Sequence, residues 1–216
     1  MSERPVVNRL DRRKARTRAA LLAAARQLLA RGCSAEASIQ EITDLADVGF
    51  GSFYNHFDTK AELLEAAVVE VLEEHGALLD EITADYDDLA QVFAASVRLT
   101  VLLHETHPQI ARIITNAAPA YRNAPTSLGP RALRDLAKAQ EAGRFDIDNP
   151  AIALACASGA ILGVLNTLGD DPVPGVRHAA DEVAVNLLRM FGLSGQEARE
   201  IVARPLPNPA QRKGER

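Results

Sequence analysis

Two capping boxes constrain this chain more than any other feature. Ser38-Ile39-Gln40-Glu41 and Thr59-Lys60-Ala61-Glu62 each place a hydroxyl shortly before a carboxylate. In that pattern the two side chains satisfy backbone N–H groups that the first helical turn leaves unpaired. Each box therefore marks a helix start, and between them runs "SIQEITDLADVGFGSFYNHF". Ile39, Ile42 and Leu45 give a short amphipathic helix to about Ala46, which "ADVG" breaks. "FGSFYNHF" forms a second short helix with Phe53 and Phe57 on one face. Two short helices joined by a tight turn, behind a basic helix, make a helix-turn-helix, whose second helix can enter the DNA major groove. Phe53 and Phe57 then close a three-helix core, while Tyr54 and His56 offer polar tips to phosphates.

The rest of the chain reads as helix. No strand-like alternation appears, and apolar residues recur at helical spacing, which predicts an all-α fold. The first helix runs from about Asp11 to Arg31, with Leu21, Leu22, Ala25, Leu28 and Leu29 on one face and Gly32 as its stop. A long helix follows Thr59, with Leu63, Leu64, Ala67, Val68, Val71 and Leu72 facing inward. Later helices are predicted near 86–106, 108–117, 127–142, 149–168, 176–192 and 194–203. The stretch from Pro119 to Pro130 is expected to be a loop or a broken helix. Residues 1–10 and 204–216 read as disordered tails around a head at 11–58, a connecting helix at 60–80 and a larger part at 81–203.

Charge separates the two parts. The net charge of −5 combines 24 Lys/Arg with 29 Asp/Glu, but residues 9–31 alone hold eight Arg/Lys against one Asp. A basic leading end on an acidic body suggests that only that end meets a polyanion, although a solvated helix face has the same composition. No cationic, apolar signal segment opens the sequence, and Cys33 and Cys156 lack metal-ligand or redox spacing. A cytoplasmic protein with packing cysteines is expected. "AIALACASGAILGVLNTL", Ala151 to Leu168, has the length of a membrane span, but its small residues and flanking acids favour a buried or subunit-contact helix and no membrane.

Residues 13–72 resemble the DNA-binding domain of the TetR family of bacterial transcriptional regulators. The resemblance rests on "RTRAALLAAARQLLARG", "SIQEITDLADVGFGSFYNHF" and "DTKAELL". It matches at Ala46, Val48, Gly51, Ser52, Phe53, Tyr54, His56, Phe57 and Lys60. Asp47 stands where the family usually has Gly, and Gly49 where it usually has a Ser cap; Asp tolerates a left-handed backbone and Gly is an acceptable N-cap. The resemblance implies that Thr17, Ser52, Tyr54, His56 and Lys60 hold the DNA backbone. It further implies that Gln40, Phe50, Gly51 and Asn55 meet base edges or the sugar-phosphate wall. Gln and Asn carry the donor–acceptor pair suited to adenine, and Phe can press on a thymine methyl.

For the larger part, the resemblance implies an effector pocket among the helices near 86–142. It also implies a four-helix bundle in which the last two long helices pair with those of a second subunit. Leu99, Leu102, Leu103, Ile110, Ile113 and Ile114 could line a pocket for a small apolar or amphipathic ligand, or be plain core. Gly159, Ala160, Gly163, Val183, Leu187, Leu188 and Phe191 offer the faces expected to form the homodimer. "HETH" at 104–107 is not a zinc-hydrolase motif, and His75 and His178 are expected at the surface. No metal, catalytic residue or cofactor is expected. The function implied is a regulator, usually a ligand-released repressor on a pseudo-palindromic double-stranded operator. An effector-independent regulator or activator is an alternative. A helical enzyme is another, but no metal cluster, phosphate loop or nucleophile–base pair supports it.

Overall fold

The computed structural model of the chain describes residues 9–121, 128–170 and 175–207, the side chains of 117–121 and 169–170 excepted. The expected tails 1–10 and 204–216 therefore lie largely outside the described residues. All regular structure among the described residues is helical, and the chain divides into two compact units, Met1–Glu70 and Val71–Arg216.

The first unit contains α1 (Arg9–Arg31), α2 (Ile39–Leu45), α3 (Phe50–Phe53) and the start of α4 (Lys60–Thr83). Gly32 ends α1 at φ 72°, where a side chain would be strained, and the Gly32 and Cys33 N–H groups cap the carbonyls of Leu29 and Leu28. Leu21, Leu22, Ala25, Ile42, Phe53, Phe57, Leu63, Ala67 and Val68 are all buried and form the small core. Ser38 makes the full reciprocal capping box with Glu41. At the second box the Thr59 hydroxyl accepts from Glu62 N–H, but the Glu62 carboxylate turns one residue further out, to Asp58 N–H.

The second unit is built on α5 (Leu89–Thr106), which packs against α6 (Pro108–Tyr121), α7 (Leu128–Glu141), α8 (Pro150–Asp170), α9 (Val176–Met190) and α10 (Gly195–Val202). Phe93, Phe145 and Phe191 meet at its centre with ring centroids 5.1–5.7 Å apart. Around them Arg144 bridges Asp88 and Glu197 at 2.8 and 2.7 Å, joining the start of α5 to α10. Asp146 N–H donates to the Phe191 carbonyl, and Gly192 at φ 94° lets the two segments approach; a Cβ there would sit 2.6 Å from Asp146 Cβ.

Several expectations change here. α6 runs through Pro119 to Tyr121, and Pro130 sits in the first turn of α7, where its missing N–H has no helical partner to lose; residues 122–127 lie outside the description. The chain at 204–206 is anchored rather than loose: Arg204 donates to Gln91 and accepts from Arg98, and Leu206 packs on the core. His75 is buried, not at the surface, and shares a hydrogen bond of 3.0 Å with Thr100. Cys156 is exposed and so does not pack within the unit.

The faces expected to form a dimer also separate. Val183, Leu187, Leu188 and Phe191 belong to this unit's own core, so their side chains are not available to a second chain. Gly159 and Gly163 are exposed and Ala160 half-buried on α8. That helix, over Pro150–Leu168, is long and apolar enough to cross a membrane, with mean hydropathy 1.9, yet it packs on α5, α6, α7 and α9.

Candidate nucleic-acid interface

The turn between α2 and α3 is made by Asp47, Val48 and Gly49. Asp47 adopts φ 53°, the only non-glycine in the left-handed region among the described residues. Val48 N–H then returns to the Thr43 carbonyl at 3.0 Å, which closes the turn. Gly49 is the N-cap of α3 and supplies no side-chain acceptor. The two departures from the expected pattern thus each sit where their conformation is tolerable.

This turn aims a cluster of rings. Phe53 and Phe57 are buried, as closing a three-helix core requires, whereas Phe50 and Tyr54 are 46% and 51% exposed. Phe50 and Tyr54 meet edge-to-face at 5.8 Å, and Tyr54 also leans on Phe53 at 5.3 Å. The exposed pair is therefore propped by the buried one, at little cost in side-chain freedom. Gly51 lies beside them with open space around a would-be Cβ, and Asn55 is exposed. Ser52 and His56 are half-buried.

Positive charge flanks the rings. Arg9, Arg12, Arg13, Lys14, Arg16 and Arg18 are exposed along the first turns of α1, and the Arg18 guanidinium lies 5.3 Å over the Phe57 ring. Partial burial, then Lys14 and Arg18, lower the pKa of His56 from its ordinary 6.5, so its imidazole is neutral at pH 7. A neutral ring keeps one N–H to donate.

Three of the expected contacts have partners already. Lys60 Nζ donates to the carbonyls of Ala35 and Ala37 at 2.6 and 2.9 Å, tying the start of α4 to the segment before α2. That leaves at most one of its three N–H bonds for a phosphate. Gln40 donates to Asp44 at 2.7 Å, and the Thr17 hydroxyl donates to the Arg13 carbonyl at 3.1 Å. The Gln40–Asp44 pair was readable as polar residues one helical turn apart; the Lys60 clamp joins distant segments and left no sequence signal.

The second unit holds a cavity of about 340 Å³ lined by His104, Ala111, Arg112, Thr115, Leu165, Asn166 and Leu168. None of the six expected pocket residues lines it. Leu102, Leu103, Ile113 and Ile114 are buried and Leu99 and Ile110 half-buried, so packing is their observed role. Of "HETH", His104 reaches the cavity while His107 contacts Thr106, and no group of three or more His, Cys, Asp or Glu is placed for a metal among the described residues.

Comparison with known proteins agrees with this division. Residues 21–67 match the family described as bacterial regulatory proteins, tetR family, and residues 88–204 match tetracyclin repressor-like, C-terminal domain. Among solved structures, RolR without ligand is 34% identical, with 88% of this chain and 98% of that one covered and a TM-score of 0.69. RolR in complex with resorcinol is 31% identical, with coverages of 91% and 98% and a TM-score of 0.66. SmeT, the repressor of the Stenotrophomonas maltophilia multidrug efflux pump SmeDEF, has the same fold at 20% identity, with coverages of 88% and 97% and a TM-score of 0.68. No curated protein matches. The chain therefore belongs to the TetR family and is a DNA-binding transcriptional regulator.

Proposed function

We propose that the protein is a repressor that binds a pseudo-palindromic operator as a homodimer in the cytoplasm and is released by a small molecule. The observation that carries the DNA-binding half is the pair of exposed rings, Phe50 and Tyr54, held by a closed core beside a row of unburied cations. In this reading Phe50, Gly51 and Asn55 face the bases. Ser52, Tyr54 and His56 hold phosphates, together with Thr17 and the cations of α1. Lys60 chiefly positions the head, and Gln40 reads a base only by leaving Asp44.

The exposed small-residue face of α8, around Gly159 and Gly163, supports self-association, because a wet apolar helix face invites a partner. The likeness to RolR supports a compact hydroxylated aromatic compound as the effector, since RolR binds resorcinol. The larger unit is the reading's seat for that effector. α4, continuous from Lys60 to Thr83, is the element through which a change there could reach the head. A coupling of about 1–3 kcal/mol is enough for a useful switch.

The test begins with selection of bound duplexes from a random DNA pool by the purified chain. A palindromic consensus, and an affinity that falls steeply with salt, are expected. Added resorcinol should lower the affinity for that consensus. Absence of salt-sensitive, site-selective binding would overturn the DNA reading; release by no hydroxylated aromatic would overturn the effector reading alone.

A further inference from the structure

The cavity in the second unit sets a guanidinium on its rim over an apolar floor. Its floor is apolar: Ala111 and Leu165 are each 3% exposed, and Leu168 is half-buried. Its rim carries His104 from α5, Arg112 and Thr115 from α6, and Asn166 from α8. The Thr115 hydroxyl spends its proton on the carbonyls of Ala111 and Arg112, at 3.1 Å each, so toward the cavity it can only accept. The side chains of Arg112, His104 and Asn166 have no hydrogen-bond or ion-pair partner among the described residues.

No Asp or Glu lines the cavity among the described residues, although acids outnumber bases in the chain. Elsewhere in the same unit Arg98 pairs with Asp181, Arg131 with Asp80 and Arg144 with Asp88, whereas Arg177, Arg189 and Arg199 have no ion pair among the described residues and, unlike Arg112, do not line this cavity. What sets Arg112 apart is its place on the cavity rim. A planar guanidinium with a free fork matches a carboxylate bidentately, and an amide N–H₂ close by supplies a further donor. The volume falls at the lower end of the roughly 300–1,000 Å³ usual for ligand sites. An apolar floor selects against a fully hydrated inorganic anion.

We propose that this cavity binds a small organic carboxylate, its anion held by Arg112 and Asn166 and its compact apolar body resting on Ala111, Leu165 and Leu168. The site is tested apart from the effector reading, because occupancy is measured without DNA.

Calorimetric titration of the full chain with benzoate tests it, with benzyl alcohol and inorganic phosphate as controls. Saturable benzoate binding is expected. Arg112→Gln should weaken it by about tenfold or more, the usual loss when a charge-assisted bond is removed. Asn166→Ala should weaken it less, and benzyl alcohol and phosphate should bind far more weakly. Arg112 and Asn166 are exposed, so both variants are expected to keep the wild-type circular dichroism spectrum; should Arg112→Gln not fold, Asn166→Ala decides. No saturation by roughly 10 mM benzoate, which is weaker than specific binding requires, would overturn the proposal. So would unchanged affinity in the folded variants, or equal binding of benzyl alcohol or of phosphate.

Discussion

Each unit of this protein has its own aromatic cluster, and the two are used differently. In the second unit Phe93, Phe145 and Phe191 turn inward, and the latter two are 3% and 1% exposed. In the first, Phe53 and Phe57 are equally buried, but Phe50 and Tyr54 stand half in solvent against them. The inward cluster lowers free energy by removing apolar surface from water and is complete within the chain. The outward cluster leaves part of its burial unrealised. Rings held at fixed angles by a core, with cations alongside, are pre-ordered for a partner that supplies the missing contact. The difference separates packing from recognition more clearly than residue type does.

The strongest way to break the comparison is to truncate one ring on each side. Phe191→Ala should cost about 3–5 kcal/mol of stability, measured by denaturant unfolding, because it opens a cavity among three packed rings. Phe50→Ala should leave stability within about 0.5 kcal/mol, since its ring is already half exposed. Its expected effect is on DNA, a loss of operator affinity of the order of tenfold by fluorescence anisotropy. If Phe50→Ala unfolds the head, or leaves operator binding intact, the outward cluster is core after all.

A second prediction, next in size, concerns polar burial in the inward-facing unit. Burial first, and His107 second, push the His75 pKa down from 6.5 to about 4. Between those values the folded protein binds fewer protons than the unfolded chain, so protonation favours unfolding. The contribution is complete above pH 6.5 and is lost as pH falls toward 4, by about 3 kcal/mol in all. His75→Gln keeps a partner for Thr100 without a titratable ring and should flatten stability over that window. Asp88, whose pKa is lowered chiefly by its hydrogen bond from Arg144, loses its contribution only at more acid pH. Stability of the variant that still fell between pH 6.5 and 4 would remove His75 as the cause.

The smallest expected effect lies in the turn that aims the outward rings. Asp47 at φ 53° carries the strain of a left-handed non-glycine residue. Asp47→Gly should relieve strain and leave stability within about 1 kcal/mol of the parent, since the gain is offset by added freedom in the unfolded chain. Asp47→Val should destabilise by about 1–2 kcal/mol and misaim Phe50, weakening operator binding as well. Equal stability of Gly and Val at this position would mean that the turn is not held left-handed in solution.

Much of the fold was legible because its signals are local. Capping residues fix helix starts by satisfying nearby N–H groups, Gly32 fixes a stop, and helical spacing of Leu and Ala shows which face turns inward. The likeness of "SIQEITDLADVGFGSFYNHF" to a known family was legible for the same reason: turn, core ring and exposed ring occur within one short segment. Lys60 resembled a phosphate contact by position, yet its ammonium reaches carbonyls far back in the chain. His75 read as a surface residue because an isolated polar residue on a long helix usually is one; only Thr100 from α5 makes its burial tolerable.

The amino-acid sequence by itself determined most of the helices, their capped ends and the composition of the turn between α2 and α3, because these depend on interactions a few residues apart. Tertiary structure decided which apolar faces are spent inside the chain and which remain outside. Val183, Leu187 and Leu188 went to the unit's own core, while the small residues of α8 stayed open, and Arg112 was left unpaired over an apolar floor. Periodicity shows that a helix has an apolar face. What covers that face depends on contacts between segments distant in the chain, whose formation no local pattern records.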